Sequence, residues 1–521
     1  MTSDSPQRYR FSEAPIWELQ RAYYEEQGIK AWNIDQVPQY ITSNPMIGTA
    51  YAEMIFGFLQ DRAMQGHLSE TVNILELGAG AGRLAFHVLQ KLCELRDYAG
   101  IPLPPFRYIM SDLPVKNIAS WQQHPGLEPF VREGVLDFAR FDVVNDTELQ
   151  LVHSNTHIGA GDLQQPLMVI ANYFFCSIPQ ELIYVDEGKT FDCDVSIRIP
   201  DPAAAAVPAE LLQSVDLEYH YRRAESYEQE VYPYHEVIRF YQEKLGDSHV
   251  LFPEAALRCL ERLGELSREG FLLLTADKGD HRLENWEFVE PPKLIYHGSF
   301  SLTANYHAMQ YFFERKGAYS LFTGHHYKNL NVGCILMLPS PMSYIQTRLA
   351  YRRGIERFGP DEFFSMKEWV DPRIDTMGVQ QFLGFWRLGG YDAEFFIQSA
   401  EHISSLLQDA SDEELLDIHK GIQLMWEGYY PLVQNYDLAL DSGLLLFEMG
   451  MYEAALPFLQ RSLEANPEDP VMAVLYSLAI CSYELGDEAG AAHYTRRALA
   501  LEPDNEEARD LLAALNAAGT E

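Results

Sequence analysis

Three glycines lie at the turn between a predicted strand and a predicted helix. The apolar segment 71–77 contains Glu76, and Gly78, Gly80 and Gly82 follow it at alternate positions. Glycine lets the backbone turn sharply and leaves a ligand room against bare main chain, while the positive end of the next helix faces that ligand. A tight turn needs glycine whether or not anything binds, but a strand before and a helix after are the context that a binding loop requires. The spacing therefore predicts a nucleotide-binding loop.

Acidic residues close the next two predicted strands. The second strand, 106–112, ends on Asp112, and a carboxylate there could accept two hydrogen bonds from ribose hydroxyls. The third strand, 138–143, carries Asp142, which could reach an adenine amino group or could equally cap a turn. The two acids are therefore the predicted contacts to a nucleoside.

The fourth and fifth predicted strands supply the candidate catalytic residues. The fourth strand, 166–172, ends on Asn172, and Tyr173 follows it. In an open parallel sheet ligands bind outside the carboxyl ends of the strands, so both side chains would flank the reacting group. The fifth strand, 270–279, carries Asp277, a candidate proton acceptor or support for the site. Asn172, Tyr173 and Asp277 are thus the predicted catalytic set.

These side chains require a sheet that brings the strand ends together. Strands alternate with helical segments from residue 71 to a last strand at 332–338. This alternation predicts an α/β, Rossmann-like domain with a mostly parallel sheet. The segment 201–210, rich in Ala and Pro, is predicted to loop out of that sheet.

The glycine loop resembles a particular class of enzyme. Its Glu before the first glycine and its short E-x-G-x-G-x-G spacing resemble class I S-adenosylmethionine-dependent methyltransferases more than dinucleotide dehydrogenases. Residues 10–345 also resemble the MidA-like methyltransferases, the family of a mitochondrial complex I assembly factor. Segments 40–47, 171–176, 277–279 and 302–304 resemble that family's Thr-Ser-Pro, Ala-Asn-Glu-Phe-Phe-Asp, Asp-Tyr-Gly and Leu-Thr-Ala motifs, respectively.

The resemblance implies a class I methyltransferase fold, S-adenosyl-L-methionine as cofactor and a nitrogen of a protein substrate, arginine in the family, as methyl acceptor. It also implies that the Thr-Ser segment lies over the cofactor. Together with the acids derived above, the predicted cofactor-binding residues are Thr42, Ser43, Glu76, Gly78, Gly80, Gly82, Asp112, Asp142 and Asn172.

The chain also departs from the family at the acceptor signature. Tyr173 stands where the family has glutamate, and Cys176 stands where it has aspartate; Asn305 and His307 replace the histidine and aspartate after Leu-Thr-Ala. A glutamate could hold a guanidinium through paired hydrogen bonds, whereas a tyrosine cannot. Two alternatives to protein methylation therefore stay open: a methyltransferase-fold scaffold with weak or no activity, and a small-molecule methyltransferase.

A repeated pattern occupies the C-terminal region. Segments 455–467 and 491–503 share the same arrangement of Ala, Leu and a final Pro at an offset of 36 residues. The pattern resembles tetratricopeptide repeats, whose usual period is 34 residues. About three repeats are needed to bury a continuous core, so we expect further helices at 379–388, 393–407 and 412–430 and a capping helix at 505–517. The repeats would either recruit a protein substrate or assembly partner, or only support the enzyme.

The predicted domain organisation follows from these patterns. A methyltransferase domain takes residues 1–345, with a helical lid at about 10–66 and a Rossmann-like core at about 70–345. A helical connector takes 346–430 and the TPR-like repeats take 431–521.

Composition narrows the possible partners. The 521 residues carry 39 basic and 76 acidic side chains, a formal charge of −37, which disfavours nucleic acid as a partner. No apolar run approaches the roughly 20 residues that span a bilayer, and the N-terminus lacks a signal-peptide core, so we expect no membrane partner and a cytoplasmic protein. The six cysteines are scattered without C-x-x-C spacing, so we expect free thiols and no metal site.

Overall fold

A computed structural model describes residues 7–33, 37–198, 211–212, 215–432, 436–467 and 470–518. The chain divides into two units, Met1–Ser365 and Met366–Glu521. The predicted loop at 201–210 lies outside the described residues, and the domain boundaries predicted from the sequence stay predictions.

A seven-stranded sheet organises the first unit. Its strands are β1 Val72–Leu77, β2 Phe106–Asp112, β3 Leu136–Arg140, β4 Leu167–Asn172, β5 Phe271–Asp277, β6 Tyr319–Leu321 and β7 Asn331–Met337. The order across the sheet is β3-β2-β1-β4-β5-β7-β6, with β1 to β5 parallel to one another and β7 antiparallel to β5 and β6. The prediction of a mostly parallel sheet is confirmed, and β7 is its antiparallel exception.

The centre of this sheet is covered on both faces. Every residue of β1 and β5 is buried, as is every residue of β4 except Asn172 at its end. Burial on both faces explains why these strands are continuous apolar runs rather than alternating ones. The third strand is shorter than predicted: β3 ends at Arg140, so Asp142 lies in the turn that follows it.

Helices flank the sheet and cover its carboxyl edge. In chain order they are Ile16–Gln27, Lys30–Asn33, Tyr40–Ser43, Pro45–Met64, Arg83–Ala99, Val115–Gln123, Glu128–Glu133, His235–Lys244, Glu254–Glu265, Tyr306–Arg315, Ile345–Tyr351 and Pro360–Val370. The long helix that begins at Pro45 is capped by Asn44, whose side chain accepts a hydrogen bond from the Ile47 amide at 3.1 Å. Gly48 lets it approach the next helix closely, because a Cβ there would lie 2.5 Å from the Cβ of His87.

A second, antiparallel sheet is formed mainly by the chain between β4 and β5. Four of its strands come from that segment, Glu181–Asp186, Lys189–Arg198, Asp216–Arg223 and Ser248–Phe252, and the N-terminal strand Arg8–Tyr9 pairs with Lys189–Arg198. This sheet was not predicted from the sequence, although one signal was present. Glu187 and Gly188 form a two-residue hairpin loop in which both φ angles are positive, 46° and 71°, as a type I′ turn requires. Short two-stranded pairs join Leu149–Gln150 to His157–Ile158, Gly279–Asp280 to Ala304–Asn305, and Ile295–His297 to Ser299–Ser301.

The second unit is helical. After the end of Pro360–Val370, its helices are Val379–Leu388, Ala393–Leu406, Asp412–Glu427, Leu438–Glu448, Tyr452–Ala465, Met472–Glu484, Glu488–Leu501 and Glu506–Ala518. The last five pack in sequence, each against the next. Gly443 permits one such contact, because a Cβ there would meet the Leu459 side chain at 2.8 Å. The predicted upstream helices and the final helix are all present, although the third ends at Glu427 rather than at 430.

Candidate functional site

The strand order places a ligand site at one edge of the large sheet. From β1 the chain proceeds to β2 on one side, whereas β4 lies on the other side of β1. Ligands of open α/β sheets bind outside the carboxyl ends of the strands at such a point. The glycine loop follows β1 and Tyr173 follows β4, so these predicted residues meet at this edge.

Two adjoining clefts lie there. The first, which we call the loop cleft, has a cavity volume of about 100 Å³ and is lined by the glycine loop, Thr42, Ser43, Glu76 and Asn172. The second, the acid cleft, has a cavity volume of about 290 Å³ and is lined by Asp112 and Asp142. Residues shared by both walls are Tyr24, Trp32, Gly78, Tyr173 and Ser177. The two clefts therefore adjoin one another across these five residues.

The glycine loop needs its glycines for two reasons. Gly78, Gly80 and Gly82 have φ values of 63°, 57° and 86°, in the region that other residues rarely adopt. A Cβ on Gly80 would also lie 2.9 Å from the ring of Trp32, and a Cβ on Gly78 would lie 2.8 Å from the ring of Phe174. Any larger residue would therefore strain the backbone and push aromatic rings into the clefts.

Glu76 is buried behind this loop. Its Oε2 accepts a hydrogen bond from the Tyr108 hydroxyl at 3.0 Å. Burial raises the pKa of Glu76 to about 8, and the nearby Asp112 carboxylate adds to the increase. The carboxyl is therefore mostly protonated at neutral pH and lines the loop cleft as a neutral group.

Asp112 ties the end of β2 to the glycine loop. Its Oδ2 accepts hydrogen bonds from the Gly80 amide at 3.1 Å and from Asn117 Nδ2 at 2.9 Å, and its Oδ1 accepts one from the Leu113 amide at 2.8 Å. Burial raises the pKa of Asp112, and these three donors oppose that increase. Since a carboxylate oxygen has two acceptor positions, Oδ1 can still receive a ligand hydroxyl.

Asp142 is engaged by its own chain. It pairs with Arg21 of helix Ile16–Gln27, and it accepts hydrogen bonds from Asn145 Nδ2 and the Val144 amide, both at 3.0 Å. Burial opposes ionisation, but these partners outweigh it and hold the pKa of Asp142 below its usual value. Asp142 thus caps its turn and tethers the helix over the acid cleft; the Arg21 pair was not foreseen from the sequence. Its contact to adenine stays a prediction.

Asn172 is fixed by the N-terminal segment. Its Oδ1 accepts a hydrogen bond from the Tyr51 hydroxyl at 2.7 Å, and its Nδ2 donates to the Thr42 carbonyl at 3.1 Å. The Thr42 and Ser43 hydroxyls both donate to the carbonyl of Gln39, at 3.3 and 2.7 Å. The structure therefore brings these three predicted residues together. The hydroxyl hydrogens of Thr42 and Ser43 are used in these bonds, and the lone pairs of the two hydroxyl oxygens are left for a ligand.

Tyr173 has an unusual backbone. Its φ is +45°, a left-handed conformation that costs a residue other than glycine about 1–3 kcal/mol. Its amide donates to the Ala276 carbonyl at 2.9 Å, which holds this conformation against the end of β5. The result places its side chain on the wall of both clefts.

Asp277 does not line either cleft. It is fully buried, and its Oδ2 and Oδ1 accept hydrogen bonds from the amides of Cys176, at 3.0 Å, and Lys278, at 2.8 Å. Burial raises the pKa of Asp277 to about 6, while these donors oppose the increase. Through its bond to the Cys176 amide, Asp277 positions the segment that follows β4. Because its carboxylate does not reach either cleft, the geometry does not support a role as proton acceptor.

Several residues of the site were missed by sequence reasoning. Tyr24 and Trp32 stack with centroids 5.7 Å apart between the two clefts. Lys278 places its Nζ 5.9 Å from the centroid of the Tyr173 ring. His297 Nε2 lies 3.1 Å from Ser301 Oγ, and burial lowers the pKa of this histidine. Lys278 is the middle residue of segment 277–279, which resembles the Asp-Tyr-Gly motif, and could have been found from it. The other residues carry no local sequence signal.

The described part of the chain contains no cluster of three or more His, Cys, Asp or Glu side chains that could hold a metal ion. Its helices also include none with the length and apolar character needed to cross a membrane.

Comparison with known proteins identifies the C-terminal repeats. A tetratricopeptide repeat family model matches residues 446–515, so the predicted TPR resemblance is confirmed there. No curated protein sequence matches the chain.

Two crystal structures from Burkholderia thailandensis, of proteins in one superfamily, are similar to this chain. One is an uncharacterized protein that is 14% identical, with a TM-score of 0.41 over 65% of this chain and 90% of that one. The other is described as a likely methyl transferase bound to S-adenosyl-homocysteine; it is 15% identical, with a TM-score of 0.42 over 67% of this chain and 91% of that one.

Proposed function

We propose that the first unit is a class I S-adenosyl-L-methionine-dependent methyltransferase whose cofactor spans the loop cleft and the acid cleft. The observation that carries this proposal is the hydrogen bond from the Gly80 amide to the Asp112 carboxylate, which joins the glycine loop and the acid at the end of β2 into one cradle. The strand order β3-β2-β1-β4-β5, with the cradle where the order reverses, supports the same assignment.

The residues present fit the parts of that cofactor. Asp112 has a free acceptor position for a ribose hydroxyl, and the stacked rings of Tyr24 and Trp32 offer flat apolar surface for a purine or a sulfonium. Helix Arg83–Ala99 begins directly after Gly82, so its N-terminal amides face the loop cleft and suit a carboxylate. A side chain at Gly78 or Gly80 would fill this space.

When bound, the cofactor supplies an activated methyl group. The chain's own task is then to hold an acceptor in line with that group, with the reacting atoms about 3 Å apart, and to exclude water. Asn172 is rigidly oriented by Tyr51 and Thr42, and Tyr173 is held by the end of β5, so both can position an acceptor without rearrangement.

The repeats extend the proposal to a protein partner. TPR helices stack into concave surfaces that hold extended peptides, and we propose that the second unit recruits the protein that carries the methyl acceptor. The family resemblance implies a protein nitrogen, and arginine in particular. Among the described residues that line the loop cleft with Tyr173, only Glu76 carries a carboxyl group, so the lining offers no pair of carboxylates for a guanidinium.

A calorimetric titration of the full chain tests the cofactor assignment. We expect S-adenosylmethionine and S-adenosylhomocysteine to bind with micromolar affinity, and NAD to give no heat although it suits many glycine loops. Binding of NAD alone would assign a dinucleotide site instead. An absence of heat with all three ligands would make the first unit a scaffold and leave the repeats as the functional part.

A further inference from the structure

The acceptor side of the loop cleft is formed by Tyr173, Ser177, Lys278, His297 and Ser301. Lys278 is exposed, and its ammonium group faces the Tyr173 ring from 5.9 Å. Among the described residues, no carboxylate lies within ion-pair distance of that ammonium group. The neighbouring Asp277 is the nearest acid along the chain, but both of its oxygens accept backbone amides beneath the cleft wall. Lys278 therefore presents an ammonium group that forms no ion pair with a described residue, and its charge acts on the Asp277 carboxylate only from beyond contact distance.

The described lining of the loop cleft offers Lys278 no ionised carboxylate. Of its described lining residues, only Glu76 bears a carboxyl group, and that group is bonded to Tyr108 behind the glycine loop and is largely neutral. Arg83 also lines the cleft, where its guanidinium lies over the ring of Tyr40. The exposed ammonium group of Lys278 attracts ligands of negative charge. A cationic acceptor would be repelled by Lys278 and would meet no ionised carboxylate among the described lining residues of this cleft.

The two cations have separate positions in the site. Arg83 begins the helix after the glycine loop and lies over the ring of Tyr40, on the side where the cofactor's own carboxylate would lie. Lys278 follows β5, on the side of Tyr173 and His297. His297 adds no further positive charge at neutral pH, because burial lowers its pKa.

We infer that Lys278 selects an acceptor with an anionic reacting group, a carboxylate, and that the product is a methyl ester. This inference rests on the proposed function. A lone pair of the carboxylate oxygen forms the new O–CH3 bond while the S–CH3 bond breaks and its electron pair stays on sulfur. The negative charge of the carboxylate and the positive charge of the sulfonium cancel, so no proton is released. The reaction therefore needs no general base, in agreement with the use of Asp277 as a structural group.

Ligand binding to the full chain tests the inference. With S-adenosylhomocysteine at saturation, phenylacetate serves as a carboxylate probe and agmatine as a guanidinium probe, and ligand-observed NMR reads out both affinities. We expect phenylacetate to bind and agmatine not to bind. Lys278→Met should lower the affinity for phenylacetate about tenfold or more, and Lys278→Glu should bind agmatine. Lys244→Met, an exposed lysine outside both clefts, should behave as the wild type.

The outcomes separate this inference from the proposed function. Tighter binding of agmatine than of phenylacetate by the wild type, or a phenylacetate affinity that Lys278→Met leaves unchanged, would overturn the inference and leave the methyltransferase assignment intact. A tenfold loss of S-adenosylhomocysteine affinity in Lys278→Met would assign the lysine to the cofactor's carboxylate and would also overturn it. If the wild type does not bind S-adenosylhomocysteine at all, the proposed function fails and the inference fails with it.

Discussion

The two ends of the candidate site are built in different ways. The end formed by the glycine loop is shaped mainly by the main chain. Its three glycines have positive φ angles, and the Gly80 amide donates a hydrogen bond to the Asp112 carboxylate. At the other end the wall is formed by the side chains of Tyr173, Lys278 and His297, which come from separate elements. The first end depends on backbone conformation and the second on charge and packing, so different substitutions should disable them.

The largest effect should come from the loop itself. Gly80→Val places a side chain against Trp32 and forces an unfavourable φ, so we expect loss of S-adenosylmethionine binding by calorimetry, by at least about a hundredfold. Gly100→Val is the matched control, because Gly100 has a φ of 58° but no heavy atom within 4 Å of an added Cβ. Equal loss of binding in both variants would mean that backbone strain alone, rather than blockage of the cleft, is responsible.

Glu76 should make stability depend on pH. Its folded pKa of about 8 exceeds the ordinary 4.5, so the unfolded state loses this proton first and the free energy of unfolding should fall as the pH rises from about 4.5 to 8. The free energy of unfolding, measured by urea titration, should be lower at pH 8 than at pH 5 by on the order of a few kcal/mol in the wild type. In Glu76→Gln this difference should disappear. The exposed Glu94→Gln should keep the wild-type dependence. A pH profile that Glu76→Gln leaves unaltered would contradict a neutral carboxyl behind the loop.

Asp112 should have an intermediate effect. Asp112→Ala removes both a candidate ribose contact and the acceptor for the Gly80 amide, so we expect affinity for S-adenosylhomocysteine to fall about ten- to a hundredfold. The exposed Asp97→Ala, which loses a bond to Arg96, serves as control. The phenylacetate affinity of any remaining cofactor complex should be unchanged, because Asp112 lies in the acid cleft and Lys278 in the loop cleft. An equal loss of both affinities would show that the two ends of the site depend on each other.

The smallest effect on stability should come from Tyr173. Tyr173→Asn loses ring contacts but relieves strain, because asparagine tolerates a φ of +45° better than tyrosine does. We expect the free energy of unfolding to change by less than about 1 kcal/mol. Phe174→Asn, at φ −108°, loses a ring without relief and should cost more in the same urea titration. Equal destabilisation of the two variants would show that the left-handed turn stores no strain.

The comparison also explains what could be predicted from the sequence. The strands β1, β2, β4 and β5 and the glycine loop were predicted because burial on both faces leaves apolar runs, and tight turns leave glycines, in the local sequence. The acids at Asp112 and Asp142 were found by the same logic, but the pairing of Asp142 with Arg21 was not. That contact joins residues 121 positions apart, and no local pattern encodes it.

The acceptor end was the harder part for the same reason. Tyr24, Trp32 and His297 reach the clefts from helices and a hairpin whose placement depends on tertiary packing. Asp277 was predicted as a proton acceptor or as support for the site, and its two backbone-amide hydrogen bonds favour the second role. The inserted antiparallel sheet was missed although the Glu187-Gly188 turn was readable, because the segment was treated as a continuation of the alternating pattern.

The inserted sheet has a consequence for how this unit folds. It separates β4 from β5 by about 100 residues of chain, yet these two strands pair in parallel at the centre of the large sheet. Closing so long a connection is entropically costly until the insert is itself compact. The hairpin around Gly188 is local and can form early, whereas the pairing of β4 with β5 must wait for it. Tyr173 and Lys278 lie just beyond those two strand ends, so the acceptor end of the site should be among the last parts of the protein to assemble during refolding.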